Sequence, residues 1–288
     1  MTRPSISFEF FPPKSLEASF RLWDTINTLS PLAPEFVSVT YGAGGTTRKL
    51  THDAVSTIHK RTGLNVAAHL TCVDASRDET LEIARAYKAA GVSDIVALRG
   101  DPPKGAKGFT PHAAGFNSSV ELIETLASEG SFNIRVGAYP EKHPEAASDQ
   151  ANINYLKRKI DAGATSAITQ FFFEAETFFR FRDACVKAGI DVPIIPGILP
   201  VEDWAGTRRF ASQCGTSIPK VVEDAFEHAE RDGTSDLLAT ALASELCDDL
   251  LGSGVEHLHF YTLNHPELTR DVCFALGITP ELQLENVA

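Results

Sequence analysis

Eight short β-rich runs recur along this chain, and a helical pattern fills the gaps between them. The runs are SISFEFF (5–11), FVSVTYG (36–42), NVAAHLTC (65–72), DIVALRG (94–100), NIRVGAYP (133–140), SAITQFFF (166–173), PIIPGILP (193–200) and HLHFYTLN (257–264). Each is rich in Val, Ile, Phe or Tyr and ends near Gly, Pro, Asn or Asp, which interrupt strands. In TLEIARAYKAAG, Leu81, Ala84 and Tyr87 share one helical face and Gly91 is the stop. In DLLATALASELCDDLLGSG, Leu238, Ala241, Leu242, Leu246 and Leu250 form a stripe that ends near Gly252. Similar stripes fit 16–29, 47–62, 118–130, 148–163, 176–189 and 202–213, with room for an extra helix or two around 217–252. Strands that alternate with helices pair in parallel, because a parallel pair needs a crossover. Eight strands close into a barrel whose interior side chains can fill. The expected fold is therefore α/β, a (β/α)8 TIM barrel. No Gly/Ser linker or low-complexity segment interrupts residues 1–288, so a single domain is expected.

Charge narrows the partners. The chain carries 26 Lys+Arg against 38 Asp+Glu, a net charge of −12. Nucleic acids and anionic membranes both need a positive surface, so neither is expected as a partner. A few local Arg and Lys can still build an anion site. No apolar run approaches the ~18 residues of a membrane span. The N-terminal MTRPSISFEF lacks the apolar stretch of a signal peptide. The five cysteines (Cys72, Cys185, Cys214, Cys247, Cys273) are odd in number, scattered and free of CxxC pairs. Neither a disulfide framework nor a zinc knuckle is favoured. A soluble, reduced, cytoplasmic protein is expected.

Side-chain alternation points to a site. One parity carries Val37 and Val39, Val96 and Leu98, Val136 and Ala138, which suits the helix-covered outside. The other carries Ser7–Glu9, Ser38–Thr40, Ala67–His69–Thr71, Ala97–Arg99–Asp101, Gly137–Tyr139–Glu141 and Ile168–Gln170. Polar groups thus gather at the C-terminal ends of the strands, where barrel enzymes place their chemistry.

Each group suggests a task. Glu9 sits in an aromatic strand, where burial would raise its pKa and suit it to general-acid work; an ion pair with a barrel arginine is the bland alternative. Arg99 is a natural ligand for phosphate or carboxylate, and Asp101 could face a cationic intermediate. The simpler alternative for this pair is an internal salt bridge. His69 lacks metal-ligand company, so no metal is expected. Tyr139, Glu141 and His143 form a loop able to stack on a planar ligand, and Lys157, Arg158 and Lys159 could meet a pyrophosphate. FFFEAETFFRFRDAC (171–185) is unusually aromatic; one Phe facing the cavity would suffice to stack on a ring. There is no GxGxxG, no GxxxxGK[ST] and no GxSxG, so a dinucleotide would bind without a Rossmann or Walker loop.

Taken in order, SFEFFPPK, FVSVTYGAGG, AAHLTC, IVALRGDPP, AYPEKHPEA, AITQFFF, IIPGILP and FYTLN resemble the catalytic domain of the 5,10-methylenetetrahydrofolate reductase family, bacterial MetF type. The resemblance covers roughly residues 5 to 278. It implies a barrel holding FAD non-covalently, with NADH or NADPH as co-substrate and folate as substrate. It implies a flavin-dependent oxidoreductase of one-carbon metabolism with ping-pong kinetics, which supplies methyl groups for methionine. Glu9 then matches the general acid that opens the folate's five-membered ring, and Asp101 the carboxylate that stabilises the resulting cation. Gln170 and Phe210 match folate contacts that also meet the nicotinamide cofactor. Thr40, Tyr41, Ala43, His69, Arg99, Gly100, Asp101, Tyr139, His143, Ala146, Arg158 and Lys159 match positions that contact FAD. Asn152 and Tyr155 stand at further FAD positions, where the family usually has Asp and Asn, and Phe116 and Asn117 replace a Tyr and an Ala nearby. Gly206 and His265 replace a Gln and an Arg that contact folate. The resemblance further implies a homo-oligomer (dimer or tetramer) and no regulatory domain, hence no adenosylmethionine control through one. The alternatives are a flavin-free reductase with direct hydride transfer from NADH, a folate-binding barrel without turnover and, more weakly, a metal aldolase.

Overall fold

The computed structural model describes residues 3–41, 48–101, 109–130 and 132–280. Its strands are β1 (Ser5–Phe10), β2 (Phe36–Val39), β3 (Val66–Thr71), β4 (Asp94–Leu98), β5 (Asn133–Ala138), β6 (Ser166–Thr169), β7 (Ile194–Ile195), β8 (Gly197–Ile198) and β9 (His257–Tyr261). Helices α1 (Leu16–Leu29), α2 (Arg48–Thr62), α3 (Arg77–Ala89), α4 (Ser119–Ser128), α5 (Asp149–Asp161) and α6 (Ala175–Lys187) connect the first seven strands. The long gap before β9 holds α7 (Trp204–Cys214), α8 (Lys220–Asp232) and α9 (Ser235–Gly252), and α10 (Pro266–Ala275) follows. The serines before α1, α3, α4 and α5 fix where those helices start. Ser15, Ser76, Ser118 and Ser148 accept from the backbone N–H of Ala18, Glu79, Glu121 and Ala151.

Every strand pair is parallel, and the sheet order is β7-β6-β5-β4-β3-β2-β1-β9-β8. The two edges belong to one run. Pro196, which has no N–H to give, divides it. Before it, Ile195 pairs with Ile168 of β6; after it, Gly197 pairs with His259 of β9. His259 N donates to Pro196 O at 3.0 Å across the seam. Nine strand segments therefore fill the eight positions of a (β/α)8 barrel.

The outward face packs Ile6, Phe8, Phe10, Val37, Leu70, Val136 and Phe260 into one large buried cluster with the helices. Inside the ring, Phe36, Ala67, Val96, Ile168 and Ile195 pack with Leu98. The expected alternation holds for β1, β2, β3, β5 and β6 but is inverted on β4. Val96 lies opposite His69 and Arg135, so Val96 and Leu98 face inward, while Ala97 joins the outer cluster. The strand ends at Leu98, and Gly100 turns the chain with φ +87°. Counting alternation back from Arg99 through that turn misplaces the strand by one residue.

Closure leaves no space at Gly197. A Cβ there would collide with the Thr169 carbonyl and the Tyr261 ring. Gly197→Ala is expected to destabilise the protein by about 1–3 kcal/mol through overpacking, read as a lower urea midpoint with unchanged slope.

Candidate active site

Glu9 lies on β1 between Ser38 of β2 and Tyr261 of β9. Its Oε2 is 3.2 Å from His69 Nε2 and 3.8 Å from His259 Nε2, and it accepts from Ser38 Oγ at 3.4 Å. His259 is fully buried, and its Nδ1 lies 2.7 Å from Ser7 Oγ. Burial pushes the Glu9 carboxyl up, but the nearby His69 and His259 rings outweigh it, and its pKa falls to about 2. This corrects both readings of Glu9 from the sequence: no arginine pairs with it among the described residues, and its pKa moves down rather than up. Burial holds His259 below the usual histidine range, although Glu9 pulls the other way. The free site therefore holds an ionised carboxylate beside a neutral imidazole at neutral pH.

A cavity of about 570 Å³ opens above β4 and β5, lined by Tyr41, Arg99, Asp101, Tyr139, Tyr155 and Lys159 among others. Gly100 is needed here, since a Cβ would meet Val73 Cγ1 at 2.5 Å. Arg99 makes a two-pronged ion pair with Glu145, one contact at 3.0 Å, and lies 5.0 Å from the centre of the Phe109 ring. Its partner is thus Glu145, not Asp101. The Glu145 hydrogen bond raises the Arg99 pKa and lowers that of Glu145.

Lys159 Nζ donates to Gly137 O at 2.8 Å. Burial and the Arg99 charge lower its pKa to about 8. Of the three consecutive cations, only Lys159 enters the cavity. Lys157 pairs with Asp161 along the helix, and Arg158 is exposed with its guanidinium 5.6 Å from the Tyr155 ring centre.

The loop after β5 shapes the cavity wall. The Tyr139 and His143 rings meet edge-on at 4.4 Å. Burial raises the Tyr139 pKa to about 12 and lowers that of His143. Asn152 Nδ2 donates to Tyr139 O at 2.9 Å, and His143 N donates to Asn152 Oδ1 at 3.4 Å, so this amide braces the loop. Ala146 N donates to His143 O at 2.8 Å. Tyr155 Oη lies 3.1 Å from Ser119 Oγ. Thr40 is held by its backbone, N to Phe10 O at 2.9 Å, with its carbonyl taking Thr51 Oγ1 at 3.1 Å. Glu141 does not reach the cavity; its carboxylate accepts Ser217 N at 2.9 Å. Ala43 lies outside the described residues.

Past β6, Gln170 Oε1 accepts the Phe171 N–H at 3.0 Å, and Gln170 Nε2 lies 3.2 Å from Cys214 Sγ on α7. Phe210, also on α7, is 42% exposed while stacked at 5.4 Å on buried Phe171, so one ring face is free. Tyr261 Oη donates to Thr169 O at 2.6 Å. Charges at Glu9, Tyr139 and Cys214 all bear on Tyr261, and Asp101 bears on both Tyr139 and Cys214. Asp101 lines the cavity, whereas Glu9 and Gln170 are not among its lining residues. His265 stands apart, its Nδ1 3.3 Å from Glu202, whose pKa burial and the charges of Glu267 and Asp236 raise to about 7.

A family model described as methylenetetrahydrofolate reductase matches residues 1–277. The chain belongs to that family. The 5,10-methylenetetrahydrofolate reductase of Salmonella typhimurium is 48% identical over 279 residues, covering 96% of this chain and 92% of that protein. The one from Escherichia coli K12 is 47% identical over 279 residues, with the same shares. A probable methylenetetrahydrofolate reductase (NADH) from Oryza sativa subsp. japonica is 33% identical over 296 residues, which span 99% of this chain but 50% of that protein. A solved structure, an uncharacterized protein from Clostridium thermocellum that binds two copies of 5-methyl-5,6,7,8-tetrahydrofolic acid, aligns with TM-score 0.61 at 18% identity. It covers 96% of this chain and 95% of that one, and shows the shared fold.

Sequence reasoning placed Ser7 on the inward face but missed His259, Tyr261, Phe109 and Glu145. His259 and Tyr261 could have been found, because HLHFY alternates His257, His259 and Tyr261 onto one strand face. Glu145 and Phe109 lie in loops and carry no such signal.

The Glu9 shift has a measurable sign. Its folded pKa of about 2 lies below the ordinary 4.5, so ionised Glu9 stabilises the fold above that value. The contribution is lost as pH falls from 4.5 towards 2. Glu9→Gln is expected to cost on the order of 1–3 kcal/mol in urea unfolding at neutral pH, with the difference from wild type closing through that acid window.

Proposed function

We propose that this single barrel reduces 5,10-methylenetetrahydrofolate to 5-methyltetrahydrofolate, with FAD as the hydride carrier and NADH or NADPH as the donor. The observation that carries this is a cation-lined cavity at Arg99 and Lys159, in a barrel of this family that also buries a carboxylate at Glu9. A cavity of about 570 Å³ suits a cofactor site. Lys159, with its pKa lowered beside Arg99, would hold a pyrophosphate, and Tyr139, His143, Tyr155 and Ala146 would line the rest. Tyr41, Thr40, His69, Gly100 and Asp101 would meet the ring end. A bound flavin would supply what side chains cannot, acceptance of hydride from one partner and its delivery to another.

The chain's own residues do the rest. Phe210 offers its free ring face and Gln170 its amide to whichever partner is present. One face that serves both in turn makes the kinetics ping-pong. Glu9 delivers the proton that lets the N10–methylene bond of the folate ring break. A flat ligand over Glu9 excludes the remaining water, which raises its pKa towards that of a working acid. Asp101, exposed at the rim, places negative charge beside the cation so formed. His265 and its partner Glu202 stand where the folate tail would pass. Methyl supply for methionine synthesis, a cytoplasmic setting and a dimer or tetramer belong to the same reading. No helix among the described residues is long and apolar enough to cross a membrane.

Anaerobic mixing with NADH and then methylenetetrahydrofolate should bleach and then restore a flavin absorption band. Purified protein that reduces folate without flavin would replace this reading by direct hydride transfer. Glu9→Gln should keep flavin reduction by NADH and lose folate reduction about a hundredfold or more. Equal loss of both steps would show that Glu9 is not the acid. Lys159→Met should weaken flavin retention about tenfold or more, since a hydrogen bond to a charged group is worth about 1.5–3 kcal/mol; ultrafiltration with flavin titration reads this.

A further inference from the structure

Below Glu9 the barrel interior holds a file of exchangeable groups, hydrogen-bonded from His257 to His259 and open by one gap at Glu9. Glu35 Oε2 is 3.3 Å from His257 Nδ1. His257 Nε2 is 2.8 Å from Ser7 Oγ, which is 2.7 Å from His259 Nδ1. His259 Nε2 faces Glu9 Oε2 at 3.8 Å. Side-chain exposure falls along the file from 50% at Glu35 to 14% at His257 and 0% at His259. The outer end lies at the start of β2 and β9, on the face opposite the cavity, and is wet; the inner end is dry.

We propose that Glu35, His257, Ser7 and His259 form a proton path through the barrel floor that reloads Glu9 from solvent on the far side. This rests on the folate-reductase reading. Adding hydride to a methylene group to make a methyl consumes one proton per turnover, and Glu9 must be recharged each time. Ligands stacked on the upper face would cover Glu9, which leaves the floor as the open side.

The step balances without electron transfer. His259 Nε2–H gives its proton to Glu9 as the carboxylate turns from His69 to close the last gap. Ser7 O–H gives its proton to His259 Nδ1, His257 Nε2–H restores the Ser7 hydroxyl, and Glu35 or water passes a proton to His257 Nδ1. Each bond broken is matched by one formed, and both rings end protonated on Nδ1; before the next turnover each ring must turn over to bring its N–H back towards Glu9. The relay needs neutral imidazoles, because a neutral ring accepts on one nitrogen while it donates from the other. Burial, His259 and the Arg135 cation hold His257 at a pKa of about 3. Phe36 packs against both rings, with centroids 5.6 Å from His257 and 5.7 Å from His259. Arg135, 3.8 Å from the Phe36 ring, is itself fixed by Asp94 at 3.1 Å.

The test uses flavin-loaded protein carrying His257→Gln or His257→Phe. Gln keeps a polar contact to Ser7 but cannot take a proton at one atom and lose it from another. Both variants should lower steady-state kcat about tenfold or more, with the folate KM and flavin reduction by NADH unchanged and a larger solvent deuterium isotope effect on kcat. Wild-type turnover in His257→Gln, or equal loss of both half-reactions, would overturn the path in favour of a structural role. A second arm needs no turnover: 15N NMR of histidine-labelled protein follows deuterium exchange at the His259 ring. Exchange should slow about tenfold in His257→Gln; an unchanged rate would overturn the path even if the reductase reading stands. Failure of wild type to reduce folate would instead sink that reading, and the exchange arm would still decide the path.

Discussion

Gly197 lies where the two edges of the sheet meet beneath the Tyr261 ring, and only a hydrogen fits there. The Tyr261 hydroxyl reaches across the same seam to Thr169 O at 2.6 Å. These contacts hold β9 between β1 and β8, and β9 brings His257 and His259 under Ser7 and Glu9. An open sheet would leave β9 as an edge and Glu9 beside water with ordinary acidity. The acidity of one carboxylate thus depends on closure at a two-residue strand.

The barrel interior is more charged than its small size suggests, and its charges come in compensated sets. Asp94 takes Arg135, Asn133 and Ser93. Glu9 takes His69, His259 and Ser38. Arg99 takes Glu145. Burial of an ion is tolerable only with such company. Lys159 differs: no carboxylate among the described residues pairs with it, and its recorded acceptor is the Gly137 carbonyl. A cation left partly unanswered inside a cavity marks where an anionic ligand belongs.

Much of this was legible in the sequence, because strand alternation and helical stripes are local patterns. Eight β runs and their helices follow from spacing alone, and the helix at Lys220–Asp232 falls in the gap left for it. What failed was non-local. Glu9 reads as a lone acid in an apolar strand because its histidines lie far along the chain. Their face on β9 was nonetheless written in HLHFY. Arg99 reads as inward by parity but reaches the cavity by a glycine turn, and β4 was misread by one residue as a result. Lys157, Arg158 and Lys159 read as one basic patch, yet each consecutive step of about 100° around a helix sends them to three different surroundings.

The crowding of Lys159 against Arg99 also bears on how long the chain lasts. The Arg99 charge bears on Lys159 even though Glu145 pairs with Arg99, so that wall carries some repulsion. An anion that settles between them relieves the repulsion, and a ligand that binds only the folded form deepens its free-energy well by mass action. Survival against proteolysis and heat would then follow ligand supply, lower in scarcity and higher in abundance.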